Sequence, residues 1–248
     1  MDPKETRDNL RTIARSLGIV DIGVTSADAW DDGRAIEGKR PKDIMPSCRT
    51  VVVLGIPLQK TIVDTAPSIY YSHLYSVVNN SLDQAAERIA LELNILGYDA
   101  VYTPRDGYRG IKGLRMNNDS MFSQKLSAYY AGVGTFGMNG LILTEKHGPR
   151  IRFVSVLTSA DLPCQKPMSD TLCTECGLCA ETCPSGAISD DWRIDVTRCL
   201  DCNEELAKKG ISPLRKMRLV LPHREREVGS AVGEGQSQHL QIRHLTDF

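Results

Sequence analysis

The stretch Cys173 to Pro184, CTECGLCAETCP, places four cysteines at C-x2-C-x2-C-x3-C-P spacing without a deviation. The short intervals let three thiolates converge on successive corners of one cubane, with loop N–H groups turned toward the sulfides. The cysteine before proline typically serves a second cluster. The competing reading is structural zinc, because Cys176-x2-Cys179 and Cys199-x2-Cys202 also fit a C-x2-C…C-x2-C frame. A zinc frame leaves Cys173, Cys183 and Pro184 without a role, whereas the iron–sulfur pattern uses all of them. Two cubanes need eight thiolates. Only Cys164, Cys199 and Cys202 lie near the motif, which makes seven, so the spacing predicts one [4Fe–4S] cluster. The candidate metal ligands are Cys173, Cys176, Cys179, Cys183, Cys199 and Cys202.

Seven of the eight cysteines crowd between Cys164 and Cys202, in a chain of 248 residues with a formal charge of -1. Such a cluster in a chain this long reads as metal binding in a reducing compartment rather than a disulfide framework. Cys48 stands apart and is expected to be a small buried hydrophobe. The charge balance argues against a dominant nucleic-acid surface. The charged opening MDPKETRDNLRTIARSLG lacks the apolar core of a signal peptide. No run approaches the roughly 18 apolar residues of a membrane helix. A cytoplasmic location without membrane attachment is expected.

Residues 131–140, AGVGTFGMNG, contain G-x-G-x-x-G. That fingerprint cradles a pyrophosphate only between a strand and a helix. Here a helix is expected over 120–131 and a strand over 141–144, so the glycines read as a tight helix-to-strand connection. The strand over 141–144 and another over 151–157, joined at His147-Gly-Pro149, have the pattern of a β-hairpin. Apolar spacing also predicts helices over 4–17 and 68–96, with strands over 18–25, 49–57 and 98–104. Gly97 is placed as the stop of the long helix. Beyond about Pro213 the sequence turns polar and aperiodic, and a flexible tail is expected.

The stretches AYYAGVGTFGMNGLILTEKHGPRIRFVSVLTSADLP, CTECGLCAETCPSGAI, WRIDVTRCL and YYSHLYSVVNNSLDQAAERIALELNILGYDAV together resemble the epoxyqueuosine reductase and reductive dehalogenase superfamily, from about residue 17 to 212. The resemblance implies an α+β fold. A nitroreductase-like α/β core over 1–160 would bind corrinoid and substrate, a ferredoxin-like [4Fe–4S] unit would span 161–212, and a tail 213–248. It implies that the cluster passes electrons to a bound cobalamin, which reduces a small organic substrate while a protein acid supplies a proton. A low-potential donor such as ferredoxin or flavodoxin would feed the cluster. The resemblance also places Gly132, Gly134, Gly137 and Arg150 near the corrinoid, with no cobalt-ligating histidine from the protein. It assigns Cys173, Cys176 and Cys179 to the cubane beside the corrinoid, and Cys183 and Cys199 to another.

The chain departs from the family where RLVLPHREREVG stands in place of a second cysteine motif. Three ligands are missing there, and Cys202 or Cys164 is expected to substitute. A truncated or frameshifted C-terminus is the alternative. No helical-repeat extension follows the core, which weighs against tRNA as a partner, and no twin-arginine leader precedes it. Two other functions stay open: an electron-transfer protein with the cubane as its working centre, and a non-catalytic corrinoid-binding protein.

Among the remaining side chains, Asp119 sits within one position of the family's acidic proton donor. It also suits the N-cap of a helix over 120–131. Tyr71, His73 and Tyr75 on the 68–96 helix could line a pocket or simply pack. Arg150 and Arg152 could meet polar groups of a cofactor, though alternate arginines more often mark the solvent face of a strand.

Overall fold

The computed structural model describes residues 2–106, 115 and 120–211. A four-stranded antiparallel sheet, in the order β1-β2-β6-β3, forms its centre. The strands are β1 (Asp21–Ser26), β2 (Thr50–Pro57), β3 (Ala100–Thr103) and β6 (Ile151–Thr158). A small hairpin of β4 (Thr135–Phe136) and β5 (Ile142–Leu143) stands beside it. The central strands β2 and β6 read VVVLGI and IRFVSVLT because both of their faces are covered, so strand alternation gives way to a continuous apolar run.

One face carries Val24, Val52, Leu54, Val154 and Val156. It packs against α1 (Pro3–Ser16) and α4 (Ile69–Ile95), whose Leu82, Ile89 and Leu93 are completely buried. Burying each such side chain stabilises the fold by roughly 1.5–3 kcal/mol. Ser68 starts α4 by accepting from Tyr71 N at 3.1 Å, a standard cap for an otherwise orphaned N–H. Short helices α2 (Pro41–Ile44) and α3 (Lys60–Val63) lie in the connections on either side of β2. The opposite face carries Val51, Val53, Ile151, Phe153 and Leu157. It meets Trp30 from a 3-10 helix over Ala27–Asp32, Leu126, Ala128 and Tyr130 of α5 (Gln124–Tyr130), and Phe136 and Ile142 of the small hairpin.

The chain then runs along the outer edge of β1. Gln165 N donates to Val24 O at 2.8 Å and Val24 N to Gln165 Oε1 at 2.6 Å, covering polar groups an edge strand would expose. Beyond it come α6 (Leu178–Glu181) and α7 (Val196–Lys208) of the cysteine-rich segment.

Two expectations need correction. β5 does not pair with β6: it pairs with β4, Phe136 opposite Ile142, while β6 is already flanked by β2 and β3. His147–Pro149 therefore joins two sheets instead of closing a hairpin. The helix after residue 120 begins later than its apolar pattern suggests. Its cap is Ser123, which accepts from Leu126 N at 3.2 Å, so Asp119 is not the N-cap. Asp119 itself, and the tail 213–248, lie outside the described residues.

Candidate metal centre

Cys173, Cys176 and Cys179 line one cavity, walled on the other side by Gly137, Met138, Asn139 and Leu143. The loop carrying them is held at its start, where Leu172 N donates to Thr135 Oγ1 of β4 at 2.9 Å. It turns through two left-handed residues that bracket Cys176, Glu175 at φ 53 and Gly177 at φ 72. Glycine adopts this region freely, whereas Glu175 must be held there by its surroundings. Gly177 opens α6, which carries Cys179 inward. Cys179 is buried, Cys173 half-buried and Cys176 exposed.

Burial pushes the Cys179 thiol up, and the neighbouring Cys173 and Cys176 add to the shift. A thiol raised in this way is a poor acid until a cation neutralises it, and the iron of a cluster supplies that charge at Cys179. Met138 and Ile188 pack with Cys179 into a small apolar shell, of the kind that sets solvent access and potential. Among the described residues, no three His, Cys, Asp or Glu side chains converge on a point that could hold one metal ion. The C-x2-C-x2-C spacing of the three cysteines that line the cavity is that of a [4Fe–4S] ligand set.

The other cysteines stand elsewhere. Burial pushes Cys183 up, but the Ser185 hydroxyl, 3.3 Å from its sulfur, and the N–H groups of Ala187, Ser185 and Ile188 outweigh it and bring the thiol below its usual range. Cys202 on α7 is raised by burial and then by Cys183 beside it. Cys202 is not among the residues that line the cavity. Cys199 stands one turn earlier on α7, its sulfur 3.6 Å from Asn203 Nδ2. Cys164 is exposed, with its Sγ 3.3 Å from Leu162 O. Cys48 is buried, and desolvation pushes its thiol up to about 11, the core role its isolation suggests.

The glycines of AGVGTFG serve the chain's own packing. A Cβ at Gly132 would stand 2.3 Å from Lys166 O, and one at Gly134 would stand 2.2 Å from Leu143 O. Protein backbone occupies the space that a dinucleotide cradle would leave open. Gly137 forms part of the cavity wall. Arg150 is half-buried, and its backbone bridges His147 O at 3.1 Å and Leu58 N at 2.8 Å.

A buried polar network lies on the α4 side of the sheet. Arg152 is 8% exposed, its Nη2 donates to Asp106 Oδ1 at 3.2 Å, and its guanidinium lies 4.1 Å from the Tyr75 ring centroid. Tyr75 Oη and Asn79 Nδ2 also donate to Asp106, and Arg105 pairs with Asp83. Arg152 Nε, Asn79 Oδ1 and Tyr71 Oη are buried without a hydrogen-bond partner. Asp21 Oδ2 and His147 Nε2, at the start of β1 and in the β5–β6 connection, share that condition. Arg152 is therefore no solvent-face arginine. His73 is exposed and Tyr71 is core. Asn79, Asp83 and Asp106 were not among the sequence candidates. The four-residue spacing of Tyr71, Tyr75, Asn79 and Asp83 was the available signal.

Residues 169–189 match the 4Fe-4S binding domain family. Tetrachloroethene reductive dehalogenase of Desulfitobacterium hafniense is 31% identical over 157 residues, covering 62% of this chain and 26% of that protein. Epoxyqueuosine reductase of Pseudomonas aeruginosa is 22% identical over 251 residues, covering 88% of this chain and 65% of that protein. The chain thus spans about a quarter of the one relative and just under two thirds of the other. Among solved structures, a catabolic reductive dehalogenase superposes with a TM-score of 0.71 at 20% identity, over 92% of this chain and 33% of that one. Epoxyqueuosine reductase from Streptococcus thermophilus gives 0.63 at 16%, over 92% and 68%. An epoxyqueuosine reductase solved with a tRNA stem loop gives 0.57 at 18%, over 79% and 56%. These superpositions establish the fold.

Proposed function

We propose that this chain, which is similar to epoxyqueuosine reductases and reductive dehalogenases, is a reductase in which a [4Fe–4S] cluster feeds electrons to a bound cobalamin. The observation that carries the reading is the cavity ringed by Cys173, Cys176 and Cys179 and closed by Gly137–Asn139 of the glycine turn. It joins the cluster motif to the segment that resembles the family's corrinoid site. A structure of one relative is titled for B12-dependent dehalogenation. Bound cobalamin supplies low-valent cobalt chemistry, and the protein supplies binding, orientation and protons.

The corrinoid reading is supported by the resemblance of residues 131–152 to the family's segment. Arg152 Nε, Asn79 Oδ1 and His147 Nε2 are buried groups lacking partners, and none of these residues lines the cysteine cavity. The core is read as nitroreductase-like. Asp119 is proposed as the proton source, which requires a raised carboxyl pKa. The substrate is proposed as a small organic molecule, with a low-potential ferredoxin or flavodoxin as donor.

Titration of the cluster-loaded protein with cob(II)alamin, followed by electron paramagnetic resonance, tests the reading. A changed cobalt spectrum is expected. An unchanged spectrum at saturating protein overturns it and leaves an electron-transfer protein. Cobalamin binding without turnover of either an organohalide or an epoxyqueuosine-bearing tRNA stem loop leaves a non-catalytic corrinoid protein.

A further inference from the structure

We propose that the side-chain amide of Asn139 donates a hydrogen bond to a sulfur of the [4Fe–4S] cluster and raises its reduction potential. The inference rests on a cluster held by Cys173, Cys176 and Cys179, and not on cobalamin.

Asn139 sits in the turn between β4 and β5. Gly140 N donates to Gly137 O at 2.8 Å and Gly137 N to Leu141 O at 2.9 Å, so the turn is closed on itself. Gly140 takes φ 68, the left-handed conformation that lets the chain reverse there. Asn139 is 6% exposed and belongs to the wall of the cavity that the three cysteines share. Its amide is oriented by the backbone: Leu141 N donates to Asn139 Oδ1 at 3.0 Å. An N–H can meet only the amide oxygen, so the NH2 group is the other end. Gly137 leaves room for this packing, because a Cβ there would stand 3.0 Å from Asn139 Oδ1.

Among the described residues, Asn139 Nδ2 has no acceptor. A buried amide donor without one is costly. Met138 and Leu143 on the same wall are apolar, Glu175 is exposed, and the three cysteine sulfurs are the other side-chain acceptors that line the cavity. Thiols accept weakly. Sulfurs bound to iron carry negative charge, and hydrogen bonds to charged acceptors are the stronger kind. Reduction adds one more negative charge to the cluster. A donor held against a sulfur therefore stabilises the reduced form more than the oxidised one, and such bonds are among the levers that set a cluster's potential.

The test uses the full chain, reconstituted anaerobically and reduced, with isotopically labelled nitrogen in its asparagine side-chain amides. Pulsed electron paramagnetic resonance of the reduced cluster should show a weak coupling to labelled nitrogen. Asn139→Asp should abolish it, because that variant keeps the oxygen for Leu141 N and replaces only the donor. Asn203→Ala should retain it, which excludes the amide 3.6 Å from Cys199 Sγ as the source. Asn139→Ser is uncharged and keeps an acceptor for Leu141 N. Its potential, from a redox titration of the same signal, should fall by about 59 mV, tenfold in the equilibrium of a one-electron couple. A role confined to the turn would leave that potential unmoved. No coupling in the loaded parent protein, a coupling that survives Asn139→Asp or is lost in Asn203→Ala, or an unshifted potential in Asn139→Ser overturns the proposal and leaves the cluster standing. Where the Asn139 variants fold poorly, the parent and Asn203→Ala spectra decide. A parent protein that takes up neither iron nor sulfide overturns the cluster and this bond together.

Discussion

The Arg152 guanidinium lies 4.1 Å from the centroid of the Tyr75 ring while its Nη2 donates to Asp106 Oδ1 at 3.2 Å. The arrangement ties β6 to α4 and to Asp106 in the loop that follows β3. Removing one partner of such a pair strands the other charge in a poorly solvated place. Arg152→Ala is therefore expected to cost about 3 kcal/mol of stability. Arg152→Lys should recover only part of that, because an ammonium cannot stack on Tyr75 and bond Asp106 with the same planar fork. Urea denaturation of the two variants checks the order; equal stability of Arg152→Ala and the parent protein rejects the network as a structural element.

Gly132 and Gly134 let two backbone segments approach where any side chain would intrude. Gly132 also takes φ 63, so alanine there meets both strain and the Lys166 carbonyl. Gly132→Ala and Gly134→Ala are each expected to destabilise by about 2–4 kcal/mol, on the scale of backbone strain plus overpacking. Gly148→Ala is the control: it shares a positive φ but has nothing within 4 Å of its Cβ, so it should cost about 1 kcal/mol. Thermal denaturation separates the three, and a loss at Gly134→Ala no greater than at Gly148→Ala would reject the close backbone approach as the cause.

Much of this was legible in the residues. The β-branched run of β2 and the spacing of α4 follow from local chemistry, and the structure places them as expected; residues 169–189, which hold the four-cysteine motif, match the 4Fe-4S binding domain. The β5 partner was not legible. Ile142 and Leu143 are apolar like any strand, and which strand they meet is fixed by tertiary contacts around Phe136. Arg152 was misleading for the same reason. Alternation puts it on one face of β6, but only the packing of Tyr75 and Asp106 shows that this face is covered.

Asp21 offers a pH test. Burial raises its carboxyl above the ordinary 3.8, and His147 and then Lys146 pull it only partly back. The folded state thus holds the proton more tightly than the unfolded chain. This stabilisation is complete below the unfolded pKa and is lost as pH rises through the folded one. Above its folded pKa the residue carries a negative charge beside a buried, unpartnered oxygen. Asp21→Asn should therefore raise the melting temperature at pH 7, by about 2–4 °C for each 1 kcal/mol gained. It should raise it less, or not at all, near pH 3.5. A variant that melts lower at pH 7 would mean that attraction to His147 and Lys146 outweighs the burial.

The last prediction concerns the cluster itself. Cys173, Cys176 and Cys179 share the cavity and Cys202 does not, so replacing each in turn should sort them. Serine at any of the first three should remove most of the iron and acid-labile sulfide after anaerobic reconstitution. Cys164→Ser and Cys202→Ser should each keep about four iron per chain, the content of one cubane. A cubane held by three protein thiolates leaves one iron without a cysteine. Mild oxidation of the parent protein is accordingly expected to release about one iron in four and give the signal of a three-iron cluster, which added ferrous iron and reductant should reverse. Loss of iron in Cys202→Ser would return that residue to the first cluster as its fourth ligand, and would require α7 to turn its Cys202 face from Cys183 toward the cavity. Stoichiometric zinc without sulfide in the parent protein would instead exclude the cubane, and with it every electron-transfer role argued from this cavity.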